Sequence, residues 1–445
     1  MTRKSRPAPL SRARQTARAL TLVGALASLA GCIEGTPFPT GRSPFSASEP
    51  GALTPGKPGT TAQTSLIIAD LAGRRSVVAG GGYGAVAQAV LTNSKGSAQS
   101  ELRVARLTAK AKAKNWLPQI GPSVSLTSLG DLATQLVMEQ VFFDNGAKKA
   151  ERDFAAADVE VAAVTLSREL NDTVYDGLKY YVTALKARDQ GAVAARSAAK
   201  IGAYEAIMRE RVAGGISDMT EARVLSQKLA EMQATAAADR DAAATAEAQL
   251  GAMTGAPVAL AGLGAVALPG ALPEALAVKE AEGEKARTIA QAKMEQAALL
   301  PGLTGVATAG RGKPDLGLSL GTSGLWGFGT KDTIAALKAT EEAAGARVER
   351  ARQEADQSLT ALRARREALV AKEARDGAVV AETADALEMF TEQYRMGGRT
   401  LMELVTMYEN YANMAHAQTG LKYDIALIEL EIAREYGILV DGSSI

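Results

Sequence analysis

From about Gly82 onward, apolar positions return with the period of a helix. Ile334, Leu337, Ala344, Val348, Ala351, Leu359, Leu362 and Leu369 recur at spacings built from threes and fours. Leu401, Leu404, Tyr408, Tyr411, Ala415, Ile425, Ile428 and Ile432 do the same. Residues so spaced share one stripe of a helix, and the pattern, with some slippage of the heptad, is that of a coiled coil. Charges such as Arg347, Arg350, Arg352, Glu354 and Asp356 fall on the other faces and read as solvated. The pattern predicts helices over about 82–114, 146–211, 217–250, 273–299, 331–394 and 400–436.

Four marks interrupt these helices. Asn115-Trp116-Leu117-Pro118-Gln119-Ile120-Gly121 and Ala298-Leu299-Leu300-Pro301-Gly302-Leu303 each stop a helix at a proline, where the preceding residue is pushed to extended backbone. Arg211-Val212-Ala213-Gly214-Gly215-Ile216-Ser217-Asp218 and Tyr394-Arg395-Met396-Gly397-Gly398-Arg399-Thr400-Leu401 each hold a glycine pair that closes a helix. Ser217 or Thr400 can then cap the next one. Pro118 and Pro301 are 183 residues apart, as are Gly214 and Gly397. A shared offset at two independent marks predicts an internal duplication.

Each proline is followed by strand period. Ser123 to Thr127 alternate polar and apolar, continuing through Gly130-Asp131 into Leu132–Phe143 with poorer alternation. Leu316, Leu318 and Leu320 alternate with Gly317, Ser319 and Gly321, behind the turn signal Gly310-Arg311-Gly312-Lys313-Pro314 and a partner strand over 303–309. One β-hairpin is expected in each half, about 119–143 and about 303–325. Four strands cannot close a membrane barrel, and lipid does not tolerate open sheet edges. Strands that enter a membrane must therefore be shared among several subunits.

Lengths fit one plan. Each half has a single helix of roughly 65 residues, or about 100 Å. Two shorter helices laid end to end nearly match it. The fold class is mainly α with a small β part, arranged as long coiled-coil walls.

The N-terminus is an address. Arg3, Lys4, Arg6, Arg12, Arg14 and Arg18 precede an apolar stretch over 19–30, as in a secretion signal. It ends Leu29-Ala30-Gly31-Cys32, which resembles a bacterial lipoprotein box and holds the chain's one cysteine. The resemblance implies cleavage before Cys32 and lipidation there, and Ile33 rather than Asp implies outer-membrane sorting. The segments are then a signal over 1–31, a lipidated N-terminus and linker over 32–75, a first repeat over 76–255, a linker over 256–272, a second repeat over 273–440 and a tail over 441–445.

Composition narrows the chemistry. The 445 residues carry 50 basic and 49 acidic side chains, a net charge of +1, which implies no nucleic-acid partner. Hydrophobic residues reach 47% but aromatics only 4%, an alanine-rich balance that suits closely packed helices. The single Cys32 and single His416 exclude an internal disulfide framework and a Cys/His zinc cluster. His416 reads as a packing or surface residue. No nucleophile–base pair is visible, so neither an enzyme nor a cofactor is expected. Trp326 and Phe328 fit equally an interfacial belt or a filled barrel–helix joint.

Over about 76–439 the sequence resembles the TolC-type outer-membrane efflux proteins. Ala85-Val86-Ala87-Gln88-Ala89-Val90-Leu91-Thr92-Asn93 is similar to the opening of that family's first helix, with Ser94 where a proline usually follows. Leu117-Pro118-Gln119, Phe143-Asp144-Asn145-Gly146 and Gly327-Phe328-Gly329 follow in the family's order, and Gly146 and Gly329 are again 183 apart. The resemblance implies a homotrimer whose hairpins form one twelve-stranded β-barrel in the outer-membrane lipid. Below it stands a helical tunnel that conducts passively from an inner-membrane transporter through a periplasmic adaptor protein, in efflux or type I secretion.

It also implies roles for residues at the tunnel end. Tyr394 and Arg399 sit where the family bonds a neighbouring turn, and Ser217 and Asp218 where that turn supplies acceptors, together an entrance latch. Glu403 sits at an acidic ring, weakened by Thr406 three residues on. Gly214, Gly215, Ile216, Gly397 and Gly398 form the turns that meet the adaptor. The rival reading is a lipid-anchored periplasmic coiled-coil spacer or adaptor whose strands never enter the membrane.

Overall fold

The computed structural model describes residues 65–444 apart from 95, 128–130, 311–313, 323, 325 and 326. The signal segment, Cys32 and Trp326 lie outside the described residues. The elements run α1 (Leu66–Gly73), α2 (Gly81–Asn93), α3 (Ser97–Lys112), β1 (Gln119–Thr127), β2 (Asp131–Phe143), α4 (Ala147–Ala213), α5 (Met219–Thr254), α6 (Leu276–Ala298), β3 (Gly302–Gly310), β4 (Asp315–Gly321), α7 (Thr330–Arg395) and α8 (Leu401–Glu435). A 3-10 turn over Gly442–Ser444 ends the described chain.

The hairpins do not stand apart. β2 pairs with β3, so the four strands form one antiparallel sheet in the order β1-β2-β3-β4. Ile120 lies opposite Met138, Met138 opposite Ala307, and Ala307 opposite Leu316, a row of apolar residues across all four strands. The next row, Gly121, Val137, Thr308 and Asp315, belongs to the opposite face. A bulge between Val141 and Phe143 leaves Phe142 as the extra residue. Its ring lies over Gly305, where a Cβ would come within 2.6 Å of it.

Helix α4 is the spine. It packs on α2, α3 and α5 along one flank and on α6 and α8 along another, while α7 packs on α6 and α8. The result is an arc with α7 at one margin. Only Ala344, Val348 and Leu362 of its 66 residues are buried, so most of this long helix faces outward from the described chain. Val370, Val379 and Met389 are exposed along it.

One local feature differs from the sequence expectation, and two add to it. The helix expected over 82–114 breaks at Ser94, which is extended at φ −71°, ψ 129°. Asn93 holds the break by donating from Nδ2 to the Met253 carbonyl at 3.0 Å, so the asparagine stops the helix without a following proline. Residues 66–73, grouped with the linker, form α1 and pack against Val164 and Leu166 of α4. The stretch 255–275 is ordered against α2 and α4: Tyr181 donates to the Gly262 carbonyl at 2.9 Å and accepts from the Ala261 N–H at 3.1 Å.

The two ends of the described chain clasp each other. Val77 donates to the Ile438 carbonyl and Ser76 to that of Leu439. Asn171 of α4 accepts the Leu439 N–H at 2.9 Å. Arg74, almost fully buried, donates to the carbonyls of Tyr436 and Glu274, both at 2.8 Å, and pairs with Asp70 at 2.7 Å. Arg74→Leu takes the donor from two carbonyls, that of Tyr436 buried and that of Glu274 partly buried. We expect it to weaken this junction by about 2 kcal/mol and to open residues 436–444 to limited proteolysis, read by intact mass.

Candidate functional site: the helix-end turns and the sheet face

Two surfaces concentrate what the sequence singled out: the paired turns at one end of the helices and the outer face of the sheet at the other.

At the first turn α4 ends with a Schellman arrangement. Gly215 takes φ +72°, its N–H meets the Val212 carbonyl, and the Ile216 N–H meets that of Arg211. At the second turn Gly397 takes φ +77°, and the Gly398 N–H meets the Gln393 carbonyl. The left-handed backbone explains the glycines at 215 and 397. It also corrects the register between the turns. The starts of α4 and α7 are 183 residues apart, but Gly215 and Gly397 are 182 apart, because α4 has 67 residues and α7 has 66.

The slip moves the cap. Asp218, not Ser217, is the N-cap of α5, accepting from the Thr220 N–H at 3.3 Å. Its structural counterpart is Thr400, which caps α8 as expected. Thr400 and Glu403 form a full capping box: the Glu403 N–H reaches Thr400 Oγ1 at 3.2 Å, and the Thr400 N–H reaches Glu403 Oε2 at 2.8 Å.

Both turns rest on one apolar cluster. Ile201, Tyr204 and Met208 of α4, Leu225 of α5, and Leu401, Leu404 and Val405 of α8 are buried together, with Phe390 and Tyr394 packed at the edge. The structure thus brings the two turns to the same end. Within the described chain, however, the latch residues are engaged locally. Arg399 donates to Gln393 at 3.1 Å and to Glu403 at 3.4 Å and lies over the Phe390 ring at 4.7 Å. Tyr394 faces the Arg211 guanidinium at 5.5 Å, a contact between the two turns. Asp218 is exposed. Glu403 is exposed but already shared between the cap and Arg399.

Hydrogen bonding to the charged form holds both carboxyls below the usual carboxylate range. For Glu403 the cause is first the Thr400 N–H and then its hydroxyl, with Arg399 adding to it. For Asp218 it is the N–H and hydroxyl of Thr220. Carboxyls with lowered values support the caps at neutral pH, and that support is lost as pH falls through those values. Sequence reasoning did not single out Met219 and Met396, which stand exposed at the first and second turns. Apolar residues in an otherwise polar turn were the available signal.

At the other end, the outer sheet face presents Ile120, Val124, Leu136, Met138, Phe142, Leu316, Leu318 and Leu320, all exposed. Gln119, Ser123, Gln135, Glu139, Thr304, Thr308 and Ser319 lie on the other face. The joints between sheet and helices are pinned by two asparagines. Asn115 donates to the Lys148 carbonyl at 2.9 Å and to Glu151 at 2.7 Å, and accepts from Arg152 at 3.0 Å. Asn145, at φ 53°, donates to the Pro301 carbonyl at 2.9 Å, while Asp144 accepts the Gly146 and Lys148 N–H groups. The corresponding entry into α7 is built differently, with Gly327 donating to Thr330 Oγ1 at 3.0 Å. Phe328 is fully exposed there.

This architecture has solved counterparts. The outer membrane protein VceC of Vibrio cholerae aligns with a TM-score of 0.70 at 15% identity, over 80% of this chain and 96% of that one. The outer-membrane channel OprN aligns at 0.69 and 16% identity, over 82% and 93%. The Campylobacter jejuni CmeC outer membrane channel aligns at 0.64 and 12% identity, over 84% and 86%. These neighbours are TolC-family outer-membrane efflux channels, and this chain has their fold. No family model and no curated protein matches the sequence.

The capping assignments make one prediction. Thr400→Ala should speed hydrogen exchange at the first amides of α8 about fivefold. Ser217→Ala should leave the first amides of α5 unchanged, because Asp218 holds that end.

Proposed function

We propose that the chain is an outer-membrane exit duct: a homotrimer that pools its sheets into one barrel and its helices into one periplasmic tunnel. The observation that carries this reading is the sheet. It exposes an apolar face on one side and a polar face on the other. Its outer strands β1 and β4 have no further strand beside them among the described residues. Lipid requires such edges to be paired and such a face to be outward. Strands of nine residues in β1 and β3 fit a bilayer crossing of about 9–11 residues. The outward-facing length of α7 gives the tunnel wall its corresponding margin. Conduction in this reading is passive, fed by an inner-membrane transporter through a periplasmic adaptor, with a lipid anchor at Cys32. The two halves are read as copies of one helix–hairpin–helix unit.

The turns form the entrance. Ile216 and the glycines at 214, 215, 397 and 398 meet the adaptor, joined by the exposed Met219 and Met396. Arg399 and Tyr394 latch onto Ser217 and Asp218 of a neighbouring turn; an Arg–Asp pair is a charge-assisted bond that can open and close. Glu403 first organises its own turn. Its acidic ring is offset by the adjacent Arg399.

The deciding test is the native mass of detergent-extracted mature protein from a separated outer-membrane fraction. A trimer is expected; a monomer or dimer released without disrupting the bilayer would overturn the duct and favour a lipid-anchored spacer. Leu318→Asp should impair assembly in the membrane, since a charge on the lipid face of a barrel is destabilising and here recurs in every copy. Asp218→Ala and Arg399→Ala should each raise leak conductance in planar bilayers, and unchanged conductance in both would remove the latch.

A further inference from the structure

Helix α4 leaves the sheet with two different sides. Residues 147, 148 and 151 share one stripe of its first turns, and 146, 149, 150 and 153 share the opposite stripe. The first stripe opens on the polar sheet face: Lys148 and Glu151 line one depression with Glu139, Thr304 and Ser319. The second stripe therefore lies on the side of the apolar sheet face. There Asn145, Lys149 and Asp153 stand across a groove of about 330 Å³ from Lys293, Gln296 and Leu300.

The two sides use their charge differently. Glu151 holds both Lys112 and Lys148. In the groove, Lys149 and Lys293 are exposed, and neither forms an ion pair among the described residues. Asp153 is the one carboxylate lining it, so a net positive charge remains. Leu300, two residues before β3, is exposed. The pattern recurs where α3 and α7 meet the sheet. Exposed Lys114 stands before exposed Trp116, and exposed Phe328 before exposed Lys331, whose neighbour Asp332 is also exposed. An apolar residue nearer the sheet and a lysine further from it is the order in which a bilayer passes from acyl chain to headgroup.

We propose that this groove seats the headgroup of an anionic phospholipid, whose acyl chains lie on the apolar sheet face. Two ammonium groups from separate helices meet one phosphodiester. A zwitterionic headgroup brings its own cation into a groove that is already positive, so the seat discriminates by net charge. A lipid held there ties the start of α4 to the end of α6, just where both helices meet the sheet. The seat rests on the duct reading, which puts the apolar face in lipid.

Native mass spectrometry of the detergent-extracted assembly tests it, with dioleoylphosphatidylglycerol and dioleoylphosphatidylcholine titrated separately. Two lysines offset by one carboxylate leave about one charge, so phosphatidylglycerol should be retained about fivefold more tightly. Lys149→Gln with Lys293→Gln should bring that ratio near one without changing the mass of the assembly. Lys200→Gln with Lys372→Gln removes two exposed charges distant along α4 and α7 and should keep the ratio. Equal retention of both lipids by the unaltered trimer would overturn the seat and leave the duct standing. An unchanged ratio in the Lys149 and Lys293 double variant would do the same. So would displacement of phosphatidylglycerol by inorganic phosphate, which would mark a site for free anions. A monomer released without disrupting the bilayer would remove the duct and the seat together.

Discussion

The constraint on which this structure turns is the incompleteness of a small sheet. Among the described residues four strands pair through β1-β2-β3-β4 and stop, leaving the outer edges of β1 and β4 and an apolar face made by Ile120, Met138, Leu316 and Leu318. In water such a face is an aggregation hazard; in lipid the unpaired edges are prohibitive. Both problems vanish together if identical sheets close into a ring. The helices repeat the same logic. Spine α4 is buried on both flanks, whereas α7 is covered only where α6 and α8 meet it. Sheet and helices therefore leave margins of the same kind, and the proposed ring of copies would cover both.

Much of this was legible because helices and turns report themselves locally. The stripes through Ile334 and Leu401 mark α7 and α8, and the prolines at 118 and 301 mark the entries to β1 and β3. What stayed hidden is non-local. Pairing of β2 with β3 joins residues some 160–175 positions apart, such as Gln135 and Gly310, and no pattern within either hairpin announces it. Poor alternation in β2 has its own cause: Val137 and Val141 lie on the face of Gln135 and Glu139, Gln140 lies on the face of Leu136 and Met138, and the bulge at Phe142 shifts the period only at the strand's end. The break at Ser94 was obscured because its signal lies in the side chain of Asn93 and a carbonyl at the end of α5.

The candidate site was legible in its residues and less so in its register. The glycine pairs align at an offset of 183, and that alignment assigns Ser217 to the cap. The backbone aligns the turns at 182, because α4 is one residue longer than α7, and the cap falls to Asp218. A one-residue change in helix length rotates the end by about 100°. It also exchanges which side chain faces the turn. Identity of residues reports ancestry of pattern; hydrogen bonds such as Ile216 N–H to the Arg211 carbonyl report where the helix stops.

That difference leaves the two turns unequal. At the first, the residue after the left-handed glycine is Ile216, exposed beside Met219. At the second it is Gly398, followed by Arg399, whose charge is gathered inward by Glu403, Gln393 and the Phe390 ring. The first turn thus offers apolar surface, and the second adds to its exposed Met396 a self-contained polar knot on a full capping box. In the proposed duct, a partner that meets both turns meets two chemistries: it can bury Ile216 without breaking anything, but it can reach Arg399 only by competing with Glu403. In that duct the first turn would hold the partner and the second would respond to it.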